Sequence, residues 1–153
     1  MKPSAKQSLT IRRATLEDMG VLLDLEQLFL GDRLEKSNFK HFLTKAKADV
    51  WLAEEKGQAL GDAVVLYRQA APSARLYSIV VSPKARGKGI GSKLLAHCEK
   101  AATFRRCAAL RLEVREDNDA AISLYRKGGY DLIGKVDDYY EDGGTALKMQ
   151  KQL

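Results

Sequence analysis

A glycine-rich segment in the middle of the chain has the composition of a phosphate-binding turn. It separates a strand-like run from an amphipathic helical pattern, and the start of a helix offers free backbone N–H groups and the positive end of its dipole. Its glycines let a ligand approach the backbone, and its basic side chains add positive charge. This combination predicts a pyrophosphate site. The segment consists of Arg86, Gly87, Lys88, Gly89, Ile90, Gly91 and Ser92.

Two other phosphate-binding turns do not fit this segment. The phosphate loop of nucleotide hydrolases ends in Gly-Lys-Ser/Thr, whereas Ser92 here precedes Lys93. The dinucleotide fingerprint needs a third glycine three positions after its second, and neither glycine pair of the segment has one. A glycine turn that holds no ligand remains the structural alternative.

A charged strand downstream adds a side chain that can accept a proton. In the strand-like run Ala109 to Val114, apolar residues alternate with charged ones, so that Glu113 lies on a wholly charged face. In a central strand a wholly charged face is costly, which makes Glu113 a candidate for a functional role. A solvated strand face with cross-strand ion pairs is the alternative interpretation.

Together, these motifs carry a family resemblance. The run Leu76 to Pro83, followed by Arg86 to Gly91, resembles the acetyl-coenzyme A signature of the GNAT N-acetyltransferase superfamily, Arg/Gln-x-x-Gly-x-Gly/Ala. Further motifs follow in the order and spacing of members that resemble ribosomal-protein alanine N-acetyltransferases. The resemblance covers about residues 74 to 151 and departs at Thr145, where relatives often carry an acidic residue. The further motifs are Leu112-Glu113-Val114-Arg115, Asn118, Ala121-Ile122, Leu124-Tyr125, Gly129-Tyr130 and Tyr139-Tyr140.

The resemblance implies acetyl-coenzyme A as cosubstrate and a role for each matched residue. Glu113 is implied as general base and Tyr125 as donor to the leaving thiolate, with packing under the sheet as the alternative for Tyr125. Asn118 is implied to face the thiol end of the cofactor. Tyr139 and Tyr140 are implied at the acceptor site, with a solvated hairpin loop as the alternative. The implied cofactor contacts are the backbone groups of Ile79, Val80 and Val81 and the segment Arg86, Gly87, Lys88, Gly89, Ile90, Gly91 and Ser92.

The acceptor remains open between two substrates for the same chemistry. One is a protein or peptide amino group, and the other is a small amine such as a polyamine, an amino acid or a drug. A non-catalytic module that binds coenzyme A, or binds nucleic acid through its net positive charge, is a third possibility. Both catalytic side chains are present, however, and a pure binder has no chemical need for them.

The order of elements predicts a single α/β domain that positions these residues. We expect a flexible N-terminus at residues 1–8 and one domain over 9–153, with a mixed, mostly antiparallel sheet of about six to seven strands and helices on both faces. The resemblance adds a splayed parallel strand pair that holds acetyl-coenzyme A. The predicted strands are Leu9–Arg13, Val50–Glu54, Asp62–Tyr67, Arg75–Val81, Ala109–Val114, Tyr130–Lys135 and Thr145–Lys151, and the predicted helices begin near Asp18, Asn38, Ile90 and Asp119.

Composition narrows the class of protein further. The 153-residue chain has a net charge of +6 and no apolar run long enough for a membrane span, so we expect a cytoplasmic monomer or homodimer. The basic residues are dispersed, and nucleic acid is not expected as a partner. Cys98 and Cys107 are interpreted as free thiols. His41 and His97 lack ligand spacing, and no metal is expected.

Overall fold

Seven strands form one mixed sheet in the order β1-β2-β3-β4-β5-β7-β6. The computed structural model describes residues 9–28, 33–44, 47–68 and 72–153. The strands are β1 (Thr10–Arg13), β2 (Ala48–Glu55), β3 (Gln58–Leu66), β4 (Ser73–Val81), β5 (Ala109–Arg115), β6 (Asp131–Val136) and β7 (Ala146–Gln152). The helices are α1 (Met19–Gln27), α2 (Lys36–Thr44), α3 (Ile90–Phe104) and α4 (Asp119–Lys127), with short 3₁₀ helices at Leu16–Asp18 and Pro83–Ala85.

Strands β4 and β5 are the parallel neighbours in this sheet, and its other neighbouring strands pair antiparallel. Helix α3 connects the two, as a parallel pair requires a crossover. The expected mixed, mostly antiparallel sheet is confirmed.

Two apolar cores lie on opposite faces of the sheet, so the expected helices on both faces are confirmed. The first core packs α3 and α4 against the apolar face of β5, with Leu94, Leu110 and Leu112 at its centre. The second core packs α1 and α2 against β2, β3 and β4, and its fully buried members include Leu22 and Phe39. Each helix buries one apolar stripe, which is the pattern that its sequence period predicted.

Most predicted elements are found within one or two residues of their predicted bounds. Helix α4 has the bounds expected from its flanking residues, because the side chain of Asn118 caps its start and Gly128 follows its end. Helix α2 runs from Lys36 to Thr44 instead of starting at Asn38.

Gly61 was expected to separate two strands and instead lies inside β3. A Cβ atom at this position would approach the carbonyl oxygen of Val80 to 2.6 Å. The glycine therefore serves close strand packing, which is the other role of a glycine within a strand pattern. The β2–β3 turn lies at Lys56 and Gly57, both with positive φ.

Some sequence predictions concern residues that the structure does not describe. The predicted flexible N-terminus at residues 1–8 lies outside the described residues. So do Phe29 and Ala46, whose spacing contributes to the patterns of the first two predicted helices, and Ala71, which the sequence predicts in a turn before Arg75. Within the described ranges, no helix is both long enough and apolar enough to span a bilayer.

Candidate active site

The two parallel strands β4 and β5 separate partway along their length. Their pairing begins at Ser73 of β4 and stops at Leu76, although both strands continue. A β-bulge explains the separation, because Leu76 and Ser78 lie opposite successive residues of β3 and leave Tyr77 unpaired. A bulge bends its strand and increases the local twist. Beyond Leu76, the described edge of β4 that faces β5 is therefore open.

A cleft of about 820 Å³ occupies this gap. Its walls come from β4, β5, the start of α4, the hairpin loop between β6 and β7, and the segment between α1 and α2. Residues singled out from the sequence meet there: Ile79, Glu113, Asn118, Tyr125, Tyr139 and Tyr140. Val80, Val81 and the turn from Arg86 to Ser92 are not among the lining residues.

Glu113 lies on the charged face of β5 and points into the cleft with its side chain only 9% exposed. Its Oε1 atom lies 2.8 Å from Nη2 of Arg75, and its Oε2 atom lies 3.8 Å from Nη1 of Arg111. The cross-strand ion pair expected as the alternative is therefore present between Arg75 and Glu113, which both line the cleft, whereas Arg111 pairs with Glu113 along β5 itself. Both pairs hold the carboxylate in one position beside the open edge of β4.

Tyr125 lies on α4 and combines a packed ring with a place on the cleft wall. Its side chain is buried in the first core, where the ring meets Tyr130 edge-on at 5.8 Å between centroids. Burial, followed by the nearby Cys98 and Tyr140, raises the pKa of Tyr125 above its ordinary value. The phenol is therefore neutral and can donate a hydrogen bond into the cleft.

Asn118 caps α4 and also lines the cleft. Its Oδ1 atom accepts a hydrogen bond from the backbone N–H of Ala121 at 3.1 Å. This bond satisfies one of the free donors at the helix start and fixes the asparagine beside β5. Its amide nitrogen remains a possible donor to a bound group.

The glycine-rich turn is exposed to solvent and leads directly into α3. Gly87 and Gly89 have φ values of +82° and +71°, a region that favours glycine, and Gly89 is the N-cap of the helix. Gly91 has a different role, because a Cβ there would lie 3.3 Å from the side chain of Leu124. Two of the glycines thus shape the turn, and the third lets α3 pack against α4.

The backbone amides of this turn divide into two groups. The N–H of Lys88 donates to the carbonyl of Ala85 at 3.2 Å and is not available to a ligand. The first-turn amides at Ile90, Gly91 and Ser92 have no partner within the helix. Their position at the positive end of α3 fits a diphosphate.

The basic side chains of the turn differ in how they are held. Lys88 forms an ion pair with Glu55 of β2, with Nζ and Oε1 3.0 Å apart. Arg86 and Lys93 are exposed on the same turn. The positive charge predicted around the segment therefore lies at its surface, where a phosphate-rich ligand can reach it.

The hairpin loop between β6 and β7 brings Tyr139 and Tyr140 to one wall of the cleft. The hydroxyl of Tyr139 accepts a hydrogen bond from Arg75 at 3.1 Å, and the two rings meet edge-on at 4.9 Å. The guanidinium of Arg115 lies 4.7 Å from the ring of Tyr140 and bonds Asp142 at 2.7 Å. This hydrogen bond lowers the pKa of Asp142. The loop is thus fixed to β4 and β5.

Arg75 is a cleft residue that the sequence did not single out as functional. Its guanidinium contacts Glu113 and Tyr139 and lies over the ring of Tyr77, with Cζ 5.2 Å from the centroid. In the sequence, Arg75 is marked only as a charged residue in a mostly apolar strand. This does not identify it as a cleft residue, because its contact with Glu113 depends on the parallel register of β4 against β5.

The segment between α1 and α2 and the first turn of α2 form the remaining wall. Its lining residues are Arg33, Leu34 and Glu35 of the segment and Asn38 of α2. Across the described ranges, no group of three or more His, Cys, Asp or Glu side chains is placed to hold a metal ion. The ring of His41 packs against Phe42, and the ring of His97 packs against Trp51.

Comparison with known proteins identifies the class. Residues 17–130 match the Acetyltransferase (GNAT) family, and the chain belongs to this family. It is therefore an acetyl-coenzyme A-dependent N-acetyltransferase. This confirms the predicted class of enzyme and sets aside the non-catalytic alternative.

The chain is similar over nearly its whole length to enzymes that act on amino termini. It is 33% identical over 150 residues to N-alpha-acetyltransferase RimI of Mycobacterium tuberculosis, covering 95% of this chain and 93% of that protein. The ribosomal-protein-S18-alanine N-acetyltransferase from Escherichia coli superimposes with a TM-score of 0.85 at 26% identity, covering 95% and 94% of the two chains. The ribosomal-protein-alanine N-acetyltransferase from Brucella melitensis gives 0.80 at 29% identity, covering 94% and 99%.

Proposed function

We propose that this enzyme acetylates the α-amino group at the amino terminus of a protein or peptide, with Glu113 as general base and Tyr125 as donor to the departing thiolate. The observation that carries the proposal is that both side chains line one cleft, at the point where β4 and β5 separate. Similarity to RimI of Mycobacterium tuberculosis supports the choice of acceptor.

Two parts of the chain fit acetyl-coenzyme A. The open edge of β4 offers backbone groups of Ile79, Val80 and Val81 to the pantetheine arm, as one strand pairs with another. The first-turn amides of α3 and the exposed Arg86 offer donors to the pyrophosphate. When bound, the cosubstrate supplies a thioester, and we expect Asn118 and Tyr125, which both line the cleft, to face it.

Glu113 is suited to an amine that loses its proton easily. An α-amine with a pKa near 8 costs about 1.4 kcal/mol to deprotonate at pH 7, against roughly 4.6 kcal/mol for a free lysine. A carboxylate held by Arg75 and Arg111 has a fixed position from which to take up this proton. Tyr125 then donates a hydrogen bond to the thiolate, because a phenol with a raised pKa is a weak proton donor.

The acceptor side of the cleft is built from long side chains. Tyr139 and Tyr140 offer aromatic faces to the first residues of a peptide, and Arg75 offers donors to its backbone oxygens. Glu35 and Glu141 line the same region and attract a cationic amine.

The proposal is tested with a panel of acceptors assayed for release of coenzyme A thiol. Peptides with free amino termini, the same peptides with blocked termini and an internal lysine, and a polyamine serve as acceptors. We expect turnover with free termini and little with the other two. Preferred turnover of the polyamine would instead favour the small-amine alternative.

A further inference from the structure

Two carboxyl groups lie buried where α1 packs on β3, and neither is among the residues proposed for catalysis. Glu26 of α1 is 1% exposed, and Asp62 of β3 is 0% exposed. An isolated buried carboxylate is costly unless it is paired or neutralised. Burial, followed by the charge of Glu26, raises the pKa of Asp62 well above its ordinary value. Glu26 accepts a backbone hydrogen bond and Asp62 accepts none from the described residues, so burial favours the neutral form more strongly at Asp62.

The hydrogen bonds of the pair are incomplete. Glu26 accepts a hydrogen bond through Oε1 from the backbone N–H of Leu34, at 2.6 Å. Among the described residues, its Oε2 atom and both carboxylate oxygens of Asp62 have no hydrogen-bond partner. A protonated Asp62 offers an O–H donor, and Oε2 of Glu26 offers an acceptor that no other described residue uses.

We propose that Glu26 and Asp62 share one proton and together act as positioning residues that hold segment 33–38 as the acceptor wall of the cleft. The proposal rests on the function proposed above. It assigns a role to two side chains that touch neither the cofactor turn nor the proposed base.

The link from the buried pair to the cleft is the backbone of Leu34. Leu34 lines the cleft, and its N–H bonds a side chain of α1 instead of a group within its own segment. The neighbouring Glu35 is fixed differently, because its N–H donates to Oδ1 of Asn38 at 2.8 Å. One anchor of the wall is therefore local, and the other depends on the buried pair.

The surroundings of the pair make its charge state important. In the sheet, Asp62 lies between Leu52 and Val80, both buried in the second core. Arg33 is the cation that acts on Glu26 and lowers its pKa, against the larger effect of burial. Ionisation of Asp62 would place a second negative charge beside Glu26 in an apolar core. The pair would separate, and the anchor at Leu34 would weaken.

The first test compares two substitutions of Glu26. Glu26→Gln keeps an oxygen for the Leu34 N–H and gains a donor for Asp62, whereas Glu26→Met has similar length and neither group. We expect Glu26→Met to raise the acceptor KM about tenfold with the acetyl-coenzyme A KM within about twofold of wild type. Glu26→Gln is expected to stay close to wild type for both.

A control separates positioning from general destabilisation. Leu22→Ala removes buried volume from the same helix without removing a hydrogen bond. It is expected to lower Tm while leaving the ratio of the two KM values unchanged. If Glu26→Met raised both KM values equally, or if Glu26→Gln behaved as Glu26→Met does, the proposal would be overturned.

The second test uses pH. Asp62→Asn supplies a permanent donor that does not titrate, so its acceptor KM should respond to pH only through the acceptor amine. That contribution is common to wild type and cancels in the ratio of the two. We expect the ratio of wild-type to Asp62→Asn acceptor KM to rise severalfold as the pH passes the raised pKa of Asp62, which the pH dependence of urea unfolding of the two proteins locates. A ratio that stays constant through that pH would contradict proton sharing.

A third measurement does not depend on activity. Exchange of the Leu34 amide hydrogen should accelerate at least about tenfold in Glu26→Met and remain slow in Glu26→Gln. Equal exchange in both variants would refute the anchor. If no amine were acetylated by wild type, the proposed function would fail, and the exchange result would still decide whether the pair holds the segment.

Discussion

The two ends of the cleft are built from different parts of the polypeptide. At the proposed cofactor end, the groups offered to a ligand belong to the backbone, namely the open edge of β4 and, outside the cleft lining, the amides at the start of α3. At the acceptor end, they are side chains of Arg75, Glu113, Tyr139 and their neighbours, joined by ion pairs and hydrogen bonds. Backbone sites tolerate many sequences, whereas side-chain sites set specificity and change with single substitutions.

This contrast predicts that the largest loss of activity comes from one side chain at the acceptor end. Glu113→Gln keeps the shape of the side chain and removes the base, so kcat should fall roughly a hundredfold or more. The acetyl-coenzyme A Kd, measured by calorimetry, should stay unchanged because its proposed contacts are elsewhere.

Glu116→Gln is the matched control for this substitution. Glu116 lies just beyond β5 and pairs with Lys135 at 3.8 Å, outside the cleft. It should retain wild-type turnover. A Glu113→Gln enzyme with the wild-type pH profile and rate would remove the base role.

Tyr125→Phe should have the next largest effect. Loss of the hydroxyl removes one hydrogen bond to the thiolate, and kcat should fall about tenfold with little change in either KM. Tyr130→Phe is the control, because Tyr130 packs on Tyr125 but directs its hydroxyl to Glu99 at 2.8 Å. Equal losses of kcat in the two variants would point to packing instead of chemistry.

At the cofactor end, a small change to the backbone should alter binding of the cosubstrate alone. Gly89 has a φ of +71°, and an alanine there is strained by roughly 1–2 kcal/mol. Gly89→Ala should therefore weaken acetyl-coenzyme A about fivefold by calorimetry, with the acceptor KM unchanged.

Gly57→Ala tests whether that effect is specific to the turn. Gly57 has a φ of +77° in the β2–β3 turn, and no atom lies within 4 Å of an added Cβ at either glycine. The two variants should lose similar stability. An equal loss of cofactor affinity would show that the Gly89 effect arises from general strain.

The same contrast explains which features the sequence could predict. The start of α4 at Asn118 and the glycine turn before α3 were predicted correctly because short-range signals determine them. The contact of Arg75 with Glu113 was not predicted, because it depends on the register between two strands distant in sequence. For the same reason Glu26 was not predicted as a functional residue, because its burial depends on the packing of α1 on β3.

The two buried aspartates, Asp49 and Asp62, differ in their hydrogen bonds and should therefore differ in their effect on stability. Asp49 accepts hydrogen bonds from Arg13, from the hydroxyl of Tyr67 at 2.6 Å and from Arg105 at 3.2 Å. Asp62 accepts none from the described residues. Removing the charge at each position should therefore have opposite effects on the free energy of unfolding.

Asp62→Asn should have the smallest effect on kcat and a pH-dependent effect on stability. The pKa of Asp62 is higher in the folded state than in the unfolded state. Above about pH 4, Asp62 is therefore ionised in the unfolded state while it remains protonated in the folded state. The free energy of unfolding of wild type then falls by about 1.4 kcal/mol for each pH unit, until Asp62 ionises in the folded state as well. The asparagine does not titrate. In urea unfolding, the stability advantage of Asp62→Asn over wild type should therefore grow from about pH 4 toward neutrality. Asp49→Asn, in contrast, should be less stable than wild type by roughly 1–3 kcal/mol, because it disturbs the hydrogen bonds that Asp49 accepts. A pH-independent difference between Asp62→Asn and wild type would show that Asp62 titrates alike in both states.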